Sequence, residues 1–444
     1  MATHFTQVNQ EVHNYMTQDV PHSLHGNNSA QSIKARNRIF QLSSTSQSQT
    51  SGGLILFNIP CSNYSITRGS MAIRMRVTIT GTALGAVADA AHAFGFSGPG
   101  LLVAAGLSTV PPLGSGYSVF SRATLYGANS AVIEACNYLN DNETLMLAHN
   151  SNASWLATDA NVNMGVGAVF PANAAFTSAQ IDLVLPLPLS FFNSSTIDAP
   201  MYLLSAPLTL QLDLSSVARA IFSGGTAVIT DYTVSQTYLV FQAVELPNAF
   251  IEAQRMAVKS SPFVMNLLNS MSVQVPASIM SSYSLGLNAS SVRACFVLPS
   301  NVSAYATNTQ LQYVRDTTEA GFTGAGTNAI LFVDGNQVNS AIYDTPAMVF
   351  SQLKQALHHN QQGGMIYPSI CNKATFLANY YAIGFDLTNF SDESTIFSGT
   401  PCTTLNLQLT GYGSGGASNN LYTIIVLYDV LIAIEENGTI QVKR

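Results

Sequence analysis

A glycine-rich stretch near the end of the chain, GYGSGG over Gly411–Gly416, has the spacing G-x-G-x-x-G. That spacing can hold a dinucleotide phosphate when a strand precedes it and a helix follows it, because the helix N-terminus then faces the phosphate. Here the stretch is followed by LYTIIVLYDVLIAI, which is typical of another strand. The sequence therefore favours a glycine-rich hairpin loop over a cofactor site.

Histidines are the next residues that could bind a metal. His358 and His359 are adjacent, so on a helix their side chains point about 100° apart, whereas paired ligands lie at i and i+4. This pair is typical of a solvated helix end. Four more lie in the polar N-terminal segment, where incidental composition is favoured over metal binding: His4, His13, His22 and His25.

Two pairs of neighbouring carboxylates, Asp392/Glu393 and Glu435/Glu436, are candidates for general acid–base chemistry. Neighbours in a strand face opposite ways, so neither pair converges as that chemistry requires. The chain has no G-x-S-x-G and no H-E-x-x-H motif. Trp155 lies beside a glycosylation sequon and could stack on a sugar, but a packing or loop role is favoured. We predict no enzyme, no catalytic, cofactor-binding or metal-binding residue, and no cofactor.

The cysteines and the N-terminal sequence indicate the cellular compartment of the protein. An odd number of widely spaced cysteines without a C-x-x-C pair favours free thiols in a reducing compartment. These are Cys61, Cys136, Cys295, Cys371 and Cys402. The N-terminus lacks the basic and apolar regions of a signal peptide. The most apolar window, residues 93–113, is interrupted by glycines and prolines, which indicates a loop and not a membrane span.

The composition points to buried surface between chains. Only 9% of the 444 residues are charged, and the net charge is −7, whereas an average protein is about 25% charged. Soluble proteins usually keep apart through charge, so large areas are expected to be buried against other chains; a glycosylated secreted domain is the alternative. Small basic groups at Lys34, Arg36 and Arg38 and at Lys443 and Arg444 do not make a nucleic-acid binder.

The pattern of the chain is that of an all-β protein. Residues 1–50 are polar and indicate an arm, in which only Ser32–Leu42 has apolar spacing suited to a docked helix or strand. From Gly53 onward short strands alternate with turn residues, as in a sandwich. Period-2 rows of apolar residues run through Met71–Ile79 and Leu208–Leu214. Such rows indicate strands with one buried face.

Four segments recur in the same order in the two halves, which favours an internal duplication. Their offset falls from 209 residues for the pair that begins at Leu54 to 186 for the pair that begins at Thr237. The matched positions are Leu54 and Phe263, Gly127 and Gly335, Leu208 and Leu405, and Thr237 and Thr423.

Each half also carries a helix after its glycine turn. In the second half Thr345 can cap the helix and Pro346 suits its first turn. Its apolar residues are Met348, Phe350, Leu353 and Leu357. NDNETLMLAHN in the first half indicates a shorter helix. We predict an arm over 1–50, a first β-rich unit over 51–246, a connector over 247–262 and a second β-rich unit over 263–444.

Several stretches resemble a known family. They include VFSRATLYGANSAVIEACNYL and LVLPLPLSFF in the first half, and LFVDGNQV, YAIGFDL and the closing LYTIIVLYDVLIAIEENGTIQVKR in the second. In this order they are similar to the double jelly-roll (DJR) major capsid proteins of the tailless icosahedral virus lineage. The resemblance covers about residues 50 to 444. It implies two tandem eight-stranded jelly rolls with short helices in the loops.

The resemblance also implies a function. Such a chain would be a structural protein of the virion that forms a homotrimer, a pseudo-hexagonal capsomer tiling an icosahedral capsid during viral assembly. Its partners would be itself and neighbouring capsomers, with penton and minor capsid proteins, and it would have no small-molecule substrate. Contact with a genome or an inner membrane would involve at most the N-terminal arm. The alternatives are a secreted or surface two-domain β-sandwich that binds carbohydrate, and a minor or vertex capsid protein.

Overall fold

The computed structural model describes residues 35–82, 92–94, 114–151, 153–166, 178–193, 197–223, 228–276, 282–301, 328–338, 343, 345–359, 376, 380–389, 398–410 and 420–443. The strands of the first half are β1 (Arg36–Ser43), β2 (Ser48–Thr50), β3 (Leu54–Ile59), β4 (Tyr64–Ile66), β5 (Ala72–Thr82), β6 (His92–Phe94), β7 (Phe120–Tyr126), β8 (Val132–Asn137), β9 (Ser178–Pro186), β10 (Leu208–Leu214), β11 (Ile221–Ser223) and β12 (Val228–Glu245). Those of the second half are β13 (Phe263–Pro276), β14 (Tyr283–Asn301), β15 (Asn328–Val333), β16 (Asn336–Gln337), β17 (Ile383–Asp386), β18 (Thr400–Thr410), β19 (Asn420–Ile434) and β20 (Ile440–Lys443).

The first half is a sandwich of two antiparallel sheets. One sheet has the order β1-β12-β5-β9, with β2 and β4 also pairing with β12, and the other has the order β3-β10-β7-β8. Strands β6 and β11 form a separate pair. The two predicted apolar rows face the core: Met71–Ile79 and Leu208–Leu214 are buried at every second residue. This alternation is what fixes the face and register of each strand.

The second half has the same two layers, joined by one bent strand. Residues 283–289 of β14 pair with β18, while residues 292–301 pair with β19 and, over part of that length, with β17. The pairing register shifts between Ala289 and Val292, where the strand passes from one layer to the other. The layers are therefore β13-β19-β14-β17 and β14-β18-β15-β16, with β20 added beside β19.

The two halves correspond strand by strand and in the same chain order. The pairs are β1 with β13, β3 with residues 283–289, β5 with residues 292–301, β7 with β15, β8 with β16, β9 with β17, β10 with β18, and β12 with β19. Three of the four sequence matches follow this correspondence. The match of Leu54 with Phe263 was wrong, because β3 and β13 occupy different layers. Both segments begin with a run of apolar residues, and alternation alone does not distinguish layers.

The helices occupy the connections. They are α1 (Leu139–His149), α2 (Ala153–Ala157), α3 (Asp159–Met164), α4 (Ser190–Asn193), α5 (Val217–Ala220), α6 (Asn248–Ser260) and α7 (Pro346–His359). The predicted cap is present, since the Met348 N–H donates to Thr345 Oγ1 over 3.3 Å. Leu353 and Leu357 are buried as predicted, whereas Met348 and Phe350 are half-buried. The shorter helix predicted in the first half is α1.

Both ends of the first roll differ in detail from the sequence interpretation. The segment 36–50, which the sequence places in an arm, forms β1 and β2 and pairs with β12. For Ser32–Leu42 the sequence left a docked helix or strand open, and the structure has the strand β1 there. The connector between the rolls contains α6, whose buried face carries Phe250, Ile251, Gln254 and Val258. No helix in the described ranges is long and apolar enough to span a membrane.

Candidate functional site: the seam between the two rolls

The residues whose types suggested chemistry do not form a site. Gly411–Gly416, Asp392 and Glu393 and the four N-terminal histidines lie outside the described residues. The hairpin interpretation was wrong, because the stretch connects β18 to β19, and within the described residues these two strands do not pair with each other but both pair with β14.

The other candidates are dispersed. His358 and His359 are the last residues of α7, and Glu435 and Glu436 lie in the turn between β19 and β20. Within the described ranges no group of three or more His, Cys, Asp or Glu could hold a metal ion.

Buried polar residues concentrate instead where the two rolls meet. We call this contact the seam; the first roll contributes β8, α1 and α4, and the second contributes the outer face of β13 and β19. Its centre is Asp141 on α1, which is 1% exposed. Asp141 Oδ2 accepts from Thr423 Oγ1 at 3.0 Å and from Gln274 Nε2 at 3.1 Å. Gln274 Nε2 also lies 3.1 Å from Thr423 Oγ1, which closes a triangle across the seam.

The negative charge of Asp141 is neutralised by an arginine of the same roll. The Arg219 guanidinium lies 3.5 Å from Asp141 Oδ2 and is itself largely buried. Arg219 also lies over the ring of Tyr138, 5.6 Å from the ring centroid, a distance suited to a cation–π contact. A buried carboxylate needs this combination of ion pair and hydrogen bonds to offset its desolvation.

A second buried carboxylate, Glu134 on β8, holds α4 in place. Its two oxygens accept from the backbone N–H groups of Ser190 at 2.7 Å and Phe191 at 2.9 Å. The Ser190 hydroxyl in turn donates to the carbonyl of Leu268 on β13, across the seam. Burial raises the pKa of Glu134 to about 7, although the two amide bonds favour the charged form. Glu134 thus links β8 to the second roll through α4.

Small polar residues fill the space between these two carboxylates. Asn142 Nδ2 donates to Cys136 Sγ at 3.0 Å and to Ser272 Oγ at 3.4 Å. Ser270 Oγ lies 3.5 Å from the same Cys136 sulfur. Burial raises the pKa of the Cys136 thiol to about 12, so it stays protonated at neutral pH. This cysteine is an element of packing and not a nucleophile.

The end of α1 makes a further contact with the second roll. His149 Nε2 donates to the Tyr380 carbonyl at 2.8 Å, which places the ring proton on Nε2. The His149 carbonyl accepts from Lys354 Nζ on α7 at 2.6 Å. Burial lowers the pKa of His149 to about 4. The ring packs edge-on against Phe350 and Phe376.

The outer layer of the second roll contains a further buried polar cluster next to the seam. Asp429 on β19 accepts from Ser291 Oγ at 2.5 Å, and its other oxygen lies 2.8 Å from Arg293 Nε. Ser291 Oγ accepts from the Gly399 N–H at 2.8 Å. A Cβ at Gly399 would lie 2.3 Å from the Val292 carbonyl oxygen, so only glycine fits here.

The contacts across the seam fix the orientation of one roll relative to the other. Most of its polar groups bond to one another or to backbone groups, while Asn142 Oδ1 and His149 Nδ1 are buried without a hydrogen-bond partner among the residues that the structure describes. Sequence reasoning named Cys136 as a free thiol and Thr423 as a repeat position, but it assigned neither of them a contact between the two halves. A signal existed: residues 123–218 contain no Lys or Arg, so Glu134 and Asp141 had no nearby cation in sequence and needed partners from elsewhere in the fold.

Comparison with known proteins gives a result for the fold. No known sequence family and no curated protein matches the chain. A chain of the quasi-atomic model of the PBCV-1 virus capsid is 12% identical and superposes with a TM-score of 0.57, covering 95% of this chain and 100% of that chain. The chain has the double jelly-roll fold.

Two further solved structures agree. The Faustovirus major capsid protein is 9% identical, with a TM-score of 0.55 over 97% of this chain and 98% of its own. A chain of the Sputnik virophage structure obtained by cryo-EM is 11% identical, with a TM-score of 0.55 over 95% of this chain and 91% of its own. These matches confirm the predicted double jelly roll over nearly the whole described chain.

Proposed function

We propose that the chain is a structural major capsid protein that assembles as a homotrimeric, pseudo-hexagonal capsomer and tiles an icosahedral shell. The observation that carries the proposal is the pair of rolls built to one plan and fixed to each other by a buried seam. Three such chains around a three-fold axis present six similar rolls, which is a near-hexagonal tile with closed heterologous contacts.

The solved structures of the same fold support this proposal. The three described above come from a virus capsid, a major capsid protein and a virophage, and each is covered over at least nine-tenths of its length by this chain. Low charge is consistent with it too, since a chain with 9% charged residues can bury large interfaces with few desolvated ions.

The proposal also specifies the partners of the protein and its location. The protein would act as a component of the virion and not as an enzyme, with its own copies as first partners and penton and minor capsid proteins as further ones. Contact with a genome or an inner membrane would be confined to the N-terminal residues.

We further propose that the chain divides into a first roll, a connector over 247–262 and a second roll over 263–444. The first roll would begin near residue 36 and not at residue 51, since β1 and β2 pair with β12. The N-terminal arm is then residues 1–35.

The experiment that tests the proposal is a measurement of solution mass by light scattering, with negative-stain images of the same peak. A trimer has three times the chain mass of 47.2 kDa, about 142 kDa. That mass with hexagonal outlines, or larger shells, supports the proposal. A 47 kDa monomer at all concentrations overturns it and makes glycan-binding assays the next step, because Trp155 is partly exposed.

A further inference from the structure

The seam shows which surfaces of two neighbouring rolls fit together. On the first roll the contact uses β8, the last strand of the layer β3-β10-β7-β8, and the helix that follows it. On the second roll it uses the outer face of the layer that contains β13 and β19. Ser270 of β13 meets Cys136 of β8, and Thr423 of β19 meets Asp141 of α1.

Because the rolls correspond strand by strand, each seam surface has a counterpart elsewhere on the chain. The counterpart of the β13–β19 face is the outer face of β1 and β12 on the first roll. The counterpart of β8 is β16 on the second roll. Both counterparts lie away from the seam within one chain, so neither meets its complement there.

The side chains of the first counterpart follow from the pairing register. Ile39 of β1 lies opposite Gln242 of β12, while Phe241 beside it is buried in the core. At the other edge of the same sheet, Val184 of β9 lies opposite Arg74 of β5. We call the surface formed by the outward residues of β1, β12, β5 and β9 the open face of the first roll.

The open face of the first roll exposes apolar side chains, whereas the corresponding face of the second roll is buried. Ile39 is 73% exposed and Val184 is 41% exposed. On the second roll the corresponding layer is covered: Thr423 is fully buried, and α7 lies so close over β17 that a Cβ at Gly384 would be 2.8 Å from Leu353 Cα. Burying such apolar side chains against another chain would be favourable.

The second counterpart, β16, is also exposed. Asn336 and Gln337 form its two exposed residues and pair with β15. Val338 follows directly and is 39% exposed although it is apolar. The strand is short, as edge strands are when they are protected from unwanted pairing.

Charge does not oppose this contact. On the open face Arg74 and Arg76 of β5 lie beside β9, where Asp182 is paired with Arg76, so the outward charges partly offset one another. Arg36 and Arg38 of β1 have the orientation of Phe40, on the face opposite Ile39.

From these observations we propose that the open face of the first roll binds the β16 edge of the second roll in another copy of the chain, with Ile39 and Val338 in the contact. The inference rests on the proposed capsomer and specifies its interface. The contact between chains repeats the arrangement of the seam within the chain. Because one surface meets a different one, the contact is heterologous and closes into a ring of three.

The first test is the mass of the Ile39→Glu variant beside a matched control. Val162 on α3 is also 73% exposed and lies outside the proposed contact, so Val162→Glu adds the same charge at the same exposure. We expect Ile39→Glu to run as a 47.2 kDa monomer at micromolar concentration, with at least a hundredfold weaker trimer, while wild type and Val162→Glu stay trimeric. Unchanged far-UV circular dichroism in both variants checks the fold.

A second test locates the contact without disrupting it. Two differently tagged chains, one with Ile39→Cys and one with Val338→Cys, are co-expressed and treated with a short bis-maleimide. We expect a band of twice the chain mass that contains both tags. Chains with Val162→Cys and Val338→Cys, and wild-type chains, control for native thiols such as the half-exposed Cys61.

The outcomes separate this inference from the proposed function. A wild-type monomer overturns both. A wild-type trimer that persists in Ile39→Glu and gives no doubly tagged band overturns the interface alone and does not contradict the proposed capsomer. Loss of the trimer in both Glu variants also overturns the interface, because Val162 does not belong to it.

Discussion

Thr423 of the second roll donates its hydroxyl to the Asp141 carboxylate of the first roll over 3.0 Å, and both side chains are buried. The two residues are 282 positions apart in the chain. A buried hydrogen bond to a charged group is worth more than one between neutral groups, and leaving its carboxylate or its cation alone is costly. The orientation of the two rolls therefore depends on a small number of polar contacts at the centre of the seam.

Replacing Asp141 should destabilise the chain far more than replacing Thr423. Asp141→Ala removes the acceptor of Thr423 and Gln274 and leaves the largely buried Arg219 without its carboxylate, at a cost of about 3 kcal/mol or more. Thr423→Val keeps the shape and removes the hydrogen bonds of Thr423 Oγ1 with Asp141 and Gln274 but leaves the Asp141–Arg219 ion pair in place, at about 1–2 kcal/mol. Urea unfolding of the two variants gives the comparison. Equal losses would show that Asp141 does not organise the seam.

Glu143 on α1 should make the protein less stable as the solution becomes alkaline. Burial raises the pKa of Glu143 to about 7 in the folded protein. Its contribution is therefore full below about pH 4.5, the unfolded value, and is lost as pH rises through about 7. Glu143→Gln cannot ionise, so it should be more stable than wild type at pH 8 by about 1–2 kcal/mol and similar to it at pH 5.

The check is the pH dependence of urea unfolding for wild type and Glu143→Gln between pH 4.5 and 8. Glu134 makes a poor comparison, since both of its oxygens accept amide protons and a Gln offers one acceptor only. A constant difference between the two proteins across the whole pH range would contradict a titrating carboxylate at position 143.

His149 should act in the opposite direction. Burial lowers its pKa to about 4, so its neutral form is favoured in the folded state. That contribution is present above about pH 6.5 and is lost as pH falls towards 4. His149→Gln retains a donor for the Tyr380 carbonyl and has no charge to gain. We expect its melting temperature to fall less than that of wild type between pH 6.5 and 4.5; a parallel fall in both proteins would exclude His149 as the cause.

The architecture could be predicted because local sequence patterns specify the individual strands and helices. Alternation in Leu208–Leu214 fixes which residues face the core, and the cap at Thr345 marks the start of α7. The seam could not be predicted in this way. The partners of Asp141 lie 133 and 282 positions away, and no periodicity within α1 indicates them. The same limit explains the wrong match of Leu54 with Phe263: strand patterns specify a buried face but not the layer that contains it.

The turn at Gly438 should tolerate no side chain, because it touches the first roll. Its φ is +74°, and a Cβ there would lie 2.5 Å from the Ser205 backbone nitrogen and 2.9 Å from the Leu203 carbonyl oxygen. Gly335 is a matched control: its φ is +82°, and no atom lies within 4 Å of its Cβ position. Gly335→Ala should cost about 1 kcal/mol through backbone strain alone.

Gly438→Ala should cost about 2–4 kcal/mol, because the strain adds to a displacement of backbone between the rolls. The Gly438 carbonyl also accepts from the Ser205 N–H at 3.2 Å, and the displacement would break this bond. Urea unfolding of both variants measures the difference, and faster amide exchange at Ser205 in Gly438→Ala would locate it. If the two glycine variants lose the same stability, the contact between the turn and the first roll contributes nothing beyond the strain at φ.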